Sequence, residues 1–398
     1  MDIKHTKLNN NIEIITREVK GSGVINLEIW LEAGYKFEKN NEDEYAHLLE
    51  HLMMSGSLNY PDEKTLSQIV EETGSYINAS TGPEYITIRS EILHDYKNIF
   101  FDILADKIIN PIISDEKIKK EIKVLSSEDN HNKENKVKLI FRLMIKNILN
   151  QKIPKNRKRE ANKENLINFH KERLQSGRVI IVATGDIKHS NIENLSKKYF
   201  DNIKHFKKQN TEKYNLKKVR FIDKNITKNK SSHILLNYII PNKKPKDWYT
   251  LALIDRFLTY GVYSALLKNL RLENGYVYNT KGQILFLSNI MTYSIYSITK
   301  NHQKVEDFIS KNIGNIIAGI DNKTLERLKK GLILQNRRLT YSNKNHFISN
   351  IIPYTVSGNK IQTIKEIEKT ITEITKKDLI SFSKKYLNKK NISVYKIS

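Results

Sequence analysis

The chain has 398 residues, 39% of them hydrophobic and 28% charged, which suits a folded protein with two domains of about 200 residues each. It contains no cysteine, so disulfide bonds, thiolate metal sites and a cysteine nucleophile are excluded, and any metal must be bound by His, Asp or Glu. The formal net charge of +24 comes from scattered residues, and only 13 of the 68 basic ones are arginine, which argues against a dedicated phosphate-binding surface.

No apolar run in the sequence reaches the ~18–20 residues that a membrane-spanning helix needs. The start of the chain lacks both the apolar core of a signal peptide and the Arg- and Ser-rich composition of a transit peptide. These features predict a cytoplasmic protein without membrane insertion.

Apolar periodicity and turn residues predict the elements of the N-terminal half. In chain order these are strands within 11–35, helices at 45–54 and 61–74, strands at 75–81 and 85–92, helices at 94–109, 114–128, 134–150 and 163–174, and a strand at 179–184.

The C-terminal half repeats the order of the first. Its elements are strands at 219–223 and 233–240, a helix at 247–271, strands within 277–298, helices at 303–318, 323–340, 345–356 and 374–386, and a strand at 392–397. We therefore predict an α+β fold of two domains with similar topology, which are duplicated sheet-plus-helices units. The domains are placed at 1–205 and 219–398, with a polar, lysine-rich linker at 206–218.

The helix at 45–54 carries the most informative pattern in the chain. His47 and His51 are four residues apart, so both imidazoles lie on one side of the helix, one turn from each other. This spacing suits two nitrogen ligands of one Zn²⁺. Glu50 can lie beside the metal as the base that takes a proton from water, and the order H-x-x-E-H is that of the inverzincins. The alternative is an ordinary amphipathic helix with solvated polar residues.

A catalytic zinc takes three protein ligands. Glu121 and Glu128 lie seven residues apart on one side of a predicted helix. Glu128 could be the third ligand, and Glu121 could orient a histidine ring through its second nitrogen. His131 and Glu134 are rival ligands on the same stretch, and a solvated glutamate is the alternative for either carboxylate.

The H-x-x-E-H helix and the later carboxylate pair together resemble the pitrilysin-type inverzincin zinc metallopeptidases. The resemblance is strongest to the smaller two-domain members, such as bacterial processing-type peptidases and mitochondrial processing peptidase subunits. It implies one zinc ion per chain on His47, His51 and Glu128. Glu50 would be the catalytic base, and Glu121 would orient a ligand without binding the zinc.

Two further segments resemble the same family. The stretch 74–81 is similar to a G-x-x-N-A-x-T strand beside which an extended substrate adds as another strand, and this implies substrate contacts at Asn78, Ala79 and Ser80. The stretch 271–278 is similar to an R-x-x-x-G-x-x-Y segment. The resemblance implies that Arg271 holds a substrate carbonyl and that Tyr278 donates to the developing oxyanion, whereas surface packing is the alternative.

The leading interpretation is a zinc endopeptidase that cleaves short or unfolded polypeptides between two domains facing each other as a clamshell, in a homodimer. A catalytically silent scaffold or partner subunit of a processing-peptidase-like assembly is the first alternative. A basic nucleic-acid-binding protein is the second, with the run 152–159 as its best local candidate and a solvated loop as the alternative interpretation of that run.

Overall fold

A computed structural model of the chain describes residues 3–39, 42, 44–151, 161–204, 214–223, 231–242, 244–341 and 346–398. Only the backbone is described for 129–134, 340–341 and 346–350. The basic run at 152–159 and most of the segment 206–218 therefore lie outside the described residues. No helix in the described part of the chain is long and apolar enough to cross a membrane.

The strands pair into two sheets. In chain order they are β1 (Ile3–Lys7), β2 (Glu13–Glu18), β3 (Val24–Leu31), β4 (Tyr76–Thr81), β5 (Ile86–Leu93), β6 (Val179–Gly185), β7 (Arg220–Ile222), β8 (Ser232–Pro241), β9 (Asn279–Phe286), β10 (Ile290–Thr299) and β11 (Ile392–Ile397). The first sheet has the order β1-β2-β6-β3-β5-β4 and the second the order β7-β11-β8-β10-β9.

The helices surround these sheets. In chain order they are α1 (Tyr45–Ser55), α2 (Glu63–Thr73), α3 (Lys97–Ile109), α4 (Asp115–Glu134), α5 (Lys136–Ile148), α6 (Lys163–Ser176), α7 (His189–Phe200), α8 (Pro245–Thr259), α9 (Ala265–Leu267), α10 (His302–Ala318), α11 (Asn322–Tyr341), α12 (His346–Ser357), α13 (Ile364–Glu373) and α14 (Lys376–Tyr386). A short π-helical segment, Lys268–Glu273, follows α9.

Five strands of the first sheet match the five strands of the second one for one. At one end β2 pairs with β6 in parallel, as β7 pairs with β11. The remaining neighbours in this shared set are antiparallel in both sheets. The first sheet adds β1 beside β2. The predicted α+β fold of two units with similar topology is thereby confirmed.

The chain folds into two compact units. The described residues of the first unit lie within Met1–His131, Pro154–Lys213 and Ser342–Ile348, and those of the second within Asn132–Ile153, Tyr214–Tyr341 and Ser349–Ser398. α5 thus groups with the second unit, where it packs on β8 and β11. A single division at 206–218 would instead assign α5 to the first domain.

Each unit has its own hydrophobic core on one face of its sheet. In the first unit α3 packs against β3 and β5, and α1 packs against β4 and β5. In the second unit α8 packs against β9, and α10 and α14 pack against β8. The two cores together bury most of the large apolar side chains of the described residues.

The predicted helix at 247–271 is interrupted at 260–264 and resumes at Ala265. α8 ends at Thr259, and Gly261 has a φ of 91°, in the left-handed region that favours glycine. The helical spacing reappears in α9 and the π-helical segment, where Leu266 and Leu270 are buried. Three elements have no counterpart among the predicted ones, namely β1, α7 and α13.

Candidate metal centre

The helix α1 has one buried and one partly exposed side. Ala46, Leu49 and Met53 are completely buried in the core of the first unit. His47, Glu50, His51 and Met54, at helical spacings of three and four residues, are only half-buried. The apolar face fixes the rotation of the helix and leaves the polar side chains together on the other side.

Groups of opposite charge hold the two ends of α1. The Glu38 carboxylate accepts hydrogen bonds from the backbone N–H groups of Glu44, at 3.2 Å, and Ala46, at 3.0 Å. At the other end the Lys107 ammonium donates to the carbonyl oxygen of Met53, at 3.0 Å, and to the next carbonyl, at 3.1 Å. An anion at the N-terminus and a cation at the C-terminus both complement the helix dipole.

A second ammonium group supports the C-terminal end of α1. Lys117 Nζ donates to the carbonyl oxygens of Ser55, at 2.7 Å, and Pro61, at 2.9 Å. A side chain on Gly56 would collide with both Lys117 Nζ and the Pro61 carbonyl, so this close approach requires glycine. Burial, and to a smaller extent the Lys117 charge, lower the pKa of Lys107 to about 8.

The structure brings His47, His51 and Glu128 together. One potential ligand atom from each lies within 4.8 Å of the others. His47 Nε2 is 3.9 Å from Glu128 Oε2, and His51 Nε2 is 3.8 Å from Glu128 Oε1. Two imidazoles and a carboxylate that leave a fourth position open form a donor set that zinc uses in catalytic sites. These residues therefore fit a zinc ion.

Each imidazole has a second carboxylate near its other nitrogen. His51 Nδ1 donates to Glu121 Oε2 at 3.1 Å, and Glu121 is buried. His47 Nδ1 lies 3.5 Å from Glu44 Oε2. Glu121 therefore contacts the ring of His51, and its role in orienting that ring stays a prediction. The proximity of Glu44 to His47 was not predicted. Glu44 is three residues before His47 in the sequence, but it precedes α1 and has a left-handed backbone, so helical spacing alone does not place it.

Glu50 lies on the same side of α1 and is held by the neighbouring strand. The Thr81 hydroxyl donates to Glu50 Oε2 at 2.5 Å. Thr81 directly follows the predicted substrate-contacting residues on β4, yet its contact with Glu50 was not predicted. The threonine that ends this strand pattern was the available signal, but it carried no information on the partner.

A cavity of about 560 Å³ opens beside these residues within the first unit. Its walls come from α1, α2, β4 and α4, and they combine apolar side chains with carboxylates. The lining residues are Glu50, His51, Met54, Ser55, Glu63, Leu66, Ser67, Val70, Glu71, Ile77, Asn78, Glu121 and Glu128. A ligand in this cavity would touch two of the candidate metal ligands, His51 and Glu128, and the edge strand β4.

Within the edge strand β4, side chains form hydrogen bonds with other residues of the same strand. The backbone N–H of Ala79 donates to Asn78 Oδ1 at 2.9 Å, and Asn78 Nδ2 donates to the Tyr76 hydroxyl at 2.8 Å. Ser80 alternates with Ala79 along the strand, opposite Thr87 of β5. Of the predicted substrate-contacting residues, Asn78 lines the cavity itself.

The remaining predicted site residues lie elsewhere. The side chains of His131 and Glu134 lie outside the described residues. Arg271 lies in the π-helical segment of the second unit and is exposed. Tyr278 precedes β9, its N–H donates to the carbonyl of Ile298 at 3.1 Å, and it is 59% exposed. Both side chains are accessible to a ligand, and their role at the metal centre stays a prediction.

Two family models match the chain in succession. The model described as Insulinase (Peptidase family M16) matches residues 14–160, and that described as Peptidase M16 inactive domain matches residues 160–332. The chain belongs to peptidase family M16. The three grouped candidate metal ligands and Glu50 all fall within the first match, whereas Arg271 and Tyr278 fall within the second.

Curated relatives from this family carry peptidase names. An uncharacterized zinc protease of Rickettsia felis is 24% identical over 96% of this chain and 94% of its own length. A mitochondrial-processing peptidase subunit beta of Neurospora crassa is 21% identical over 98% of this chain and 86% of its own. Several further beta subunits align with about half of this chain and less than half of their own length.

A solved structure confirms the family fold. A protease from Helicobacter pylori superposes with a TM-score of 0.84 at 15% identity, over 100% of this chain and 99% of that one. The two proteins thus share the two-unit architecture described above.

Proposed function

We propose that this M16 family member is a zinc-dependent endopeptidase that cleaves short or unfolded polypeptides. The observation that carries the proposal is the grouping of His47, His51 and Glu128 within 4.8 Å, with the Glu50 carboxylate on the same side of α1. His47, His51 and Glu128 would hold one zinc ion per chain. Bound there, zinc polarises a carbonyl group and lowers the pKa of water.

Glu50 is the proposed general base. Its Oε2 accepts the hydrogen bond of the Thr81 hydroxyl, which leaves lone pairs of the carboxylate available to take a proton from the attacking water. Glu50 then passes this proton to the amine that leaves when the peptide bond breaks. Thr81 holds the carboxylate in one orientation throughout, which makes it a positioning residue.

The edge of β4 is the proposed substrate-binding surface. An extended polypeptide would add as a strand beside Asn78, Ala79 and Ser80 and use the backbone N–H of Ala79, which now donates to Asn78 Oδ1. The Asn78 side chain then has to turn away, and its amide becomes available to the substrate. Because backbone groups supply most of this binding, the site would select extended chains more than particular sequences.

The second unit is proposed to supply Arg271 and Tyr278. Arg271 would hold a substrate carbonyl, and the Tyr278 hydroxyl would donate to the oxygen that becomes negative in the transition state. Their exposure in the second unit supports this role, since neither side chain is committed to a core. We further propose that the protein acts as a homodimer.

A catalytically silent subunit is the alternative function. The observations behind this alternative are the similarity to a subunit of mitochondrial-processing peptidase and the match of residues 160–332 to an inactive-domain model. It predicts a protein that assembles with a relative and does not cleave peptides by itself.

The deciding experiment measures zinc content and cleavage of an unstructured peptide mixture by the purified full-length chain. We expect about one zinc per chain, cleavage that a chelator abolishes, and recovery on adding zinc. His47→Ala should lose the zinc, because only two of three protein ligands remain. Glu50→Gln should keep the zinc and lose ~10²–10⁴-fold in rate, because an amide cannot accept the proton.

Asp255→Asn is the matched control, since it removes a carboxylate from the corresponding helix of the second unit. It should leave zinc content and cleavage unchanged. Zinc binding without cleavage by the wild-type chain would favour the silent-subunit alternative, and stoichiometric zinc in His47→Ala would overturn the metal site.

A further inference from the structure

Glu44 has a backbone conformation that glutamate rarely adopts. Its φ is 70° and its ψ is 15°, in the left-handed region. Among the described residues, the other non-glycine residues with positive φ are Asn11 and Asn150, and asparagine tolerates this region better than most residues. A conformation of this kind persists only where the surrounding structure holds it, which happens often at functional sites.

The backbone and the side chain of Glu44 contact two different residues. Its backbone N–H donates to Glu38 Oε2 at the start of α1. Its carboxylate is buried, with 5% of the residue exposed, and Oε2 lies 3.5 Å from His47 Nδ1. The Glu44 side chain therefore extends along the first turn of α1 to His47.

The two histidines then have parallel surroundings. In each ring Nε2 faces Glu128, at 3.9 Å from His47 and 3.8 Å from His51. In each ring Nδ1 faces a different buried carboxylate, that of Glu44 or that of Glu121. A carboxylate at the outer nitrogen fixes the tautomer and the orientation of a metal-binding imidazole.

We infer that Glu44 is a positioning residue that orients His47 for zinc, as the counterpart of Glu121 at His51. This inference rests on the proposed zinc site. It assigns Nε2 as the metal-binding nitrogen of both rings, with the Nδ1 protons directed at Glu44 and Glu121.

Two substitutions at Glu44 separate the side chain from the backbone. Glu44→Gln keeps the length of the side chain and an oxygen that can accept from His47 Nδ1. Glu44→Asn suits the left-handed backbone better but is one methylene shorter and cannot reach the ring. If the carboxylate orients His47, Asn should weaken zinc binding by ~10–100-fold and Gln by less. If only the backbone matters, Asn should be at least as good as Gln.

The experiment measures zinc dissociation constants by chelator competition on the full-length chain, with thermal unfolding of the zinc-free proteins to confirm folding. Glu121→Gln serves as the positive reference, and Glu42→Gln removes a buried carboxylate near the same helix end that accepts from the Lys39 N–H. Glu121→Gln should weaken zinc binding, and Glu42→Gln should not.

The outcomes separate this inference from the proposed function. A wild-type chain that binds no zinc would overturn both. Wild-type affinity in Glu44→Asn, together with weaker binding in Glu121→Gln, would overturn the role of Glu44 alone. A Gln variant that binds more weakly than the Asn variant would show that the backbone, and not the reach of the carboxylate, is what matters at this residue.

Discussion

The helices α1 and α8 occupy corresponding places in the two units. Each follows the strand that pairs with the last strand of its unit, and each packs against the edge strand, β4 or β9. α1 keeps a half-buried polar side with two histidines and a glutamate. α8 has no histidine, and its buried side chains are those of Trp248, Tyr249, Thr250, Leu251, Leu253, Ile254 and Leu258.

Both helices nevertheless direct a carboxylate toward the edge strand, with different consequences. Glu50 lines an open cavity and accepts from Thr81. Asp255 packs so closely on Gly282 of β9 that a side chain there would collide with it, and it accepts from Thr259 at 2.8 Å and Tyr293 at 3.1 Å. Burial raises the pKa of Asp255. Glu50 therefore borders a cavity that a ligand could enter, whereas Asp255 is packed against the neighbouring strand.

The comparison separates topology from chemistry. The same strand order supports a candidate metal centre in one unit and a filled core in the other, so the fold alone does not create the site. The ends of the helices differ too, because two ammonium groups hold the end of α1, whereas α8 leads into the exposed side chains of Tyr260, Val262 and Tyr263.

Among the tests of this comparison, the largest effect is expected where the second unit contributes side chains to catalysis. Arg271→Ala or Tyr278→Phe should lower kcat/KM for peptide cleavage by ~10²–10³-fold, because each removes a donor to the substrate or transition state. Zinc content should not change, since the metal-binding side chains belong to the first unit. Cleavage of a defined peptide and metal analysis of the same preparations measure both quantities.

Tyr263→Phe and Lys268→Ala are controls for the neighbouring exposed surface, where Tyr263 is 85% exposed. Both should cleave like the wild type. Undiminished cleavage in Arg271→Ala and Tyr278→Phe would leave the second unit with a purely structural role and make the contrast between the units complete.

A smaller effect is expected from a test that compares two hydroxyl–carboxylate pairs, Thr81 with Glu50 and Thr259 with Asp255. Thr81→Val should lower kcat by roughly 10-fold with KM and zinc content unchanged, because Glu50 loses a hydrogen bond to a charged group. Thr81→Ser should restore most of the rate. Thr259→Val removes the matching hydroxyl from Asp255 in the second unit and should leave kcat unaltered.

Steady-state kinetics of these three variants decide the role of Thr81. If Thr81→Val raises KM without changing kcat, then Thr81 acts in substrate binding and does not position Glu50. If Thr81→Ser lowers kcat as much as Thr81→Val does, then packing of the Thr81 methyl group, and not its hydroxyl, is what matters for the rate.

Local spacing explains why part of the site could be predicted from sequence. The intervals of three and four residues in α1 and of seven residues in α4 fix which side chains share a helical face, and the structure groups these side chains. The contact between Thr81 and Glu50 spans 31 residues and depends on the register of β4 beside α1. No local pattern contains that register.

Two other features depend on information that periodicity lacks. The left-handed conformation of Glu44 is a property of the chain around it, since nothing in the residue itself favours it. The helix predicted at 247–271 kept apolar spacing across its interruption, and Gly261 was the only sequence sign of the turn. The grouping of α5 with the second unit follows from tertiary packing on β8 and β11, which no predicted element boundary could reveal.

A further prediction concerns the stability of the protein and the end of α1 that Lys107 and Lys117 hold. Lys107 is 1% exposed, and its pKa of about 8 lies below the ordinary value of 10.5. The unfolded chain therefore binds more protons than the folded one between these values, so the free energy of unfolding rises with pH across that interval. Below pH 8 the full cost of burying the ammonium group is present.

Urea unfolding between pH 7.5 and 10 compares the wild type with Lys107→Met. The wild type should gain on the order of 3 kcal/mol relative to the variant across the whole interval between the two pKa values. At pH 7.5 the variant should still be less stable by ~1–3 kcal/mol, because two carbonyl oxygens at the end of α1 lose their donor. Lys197→Met is the control. Glu193 raises the pKa of that exposed lysine, so Lys197 cannot make the free energy of unfolding rise with pH. If the free energies of unfolding of the wild type and Lys107→Met differ by the same amount at every pH, then Lys107 is not the group whose deprotonation stabilises the fold.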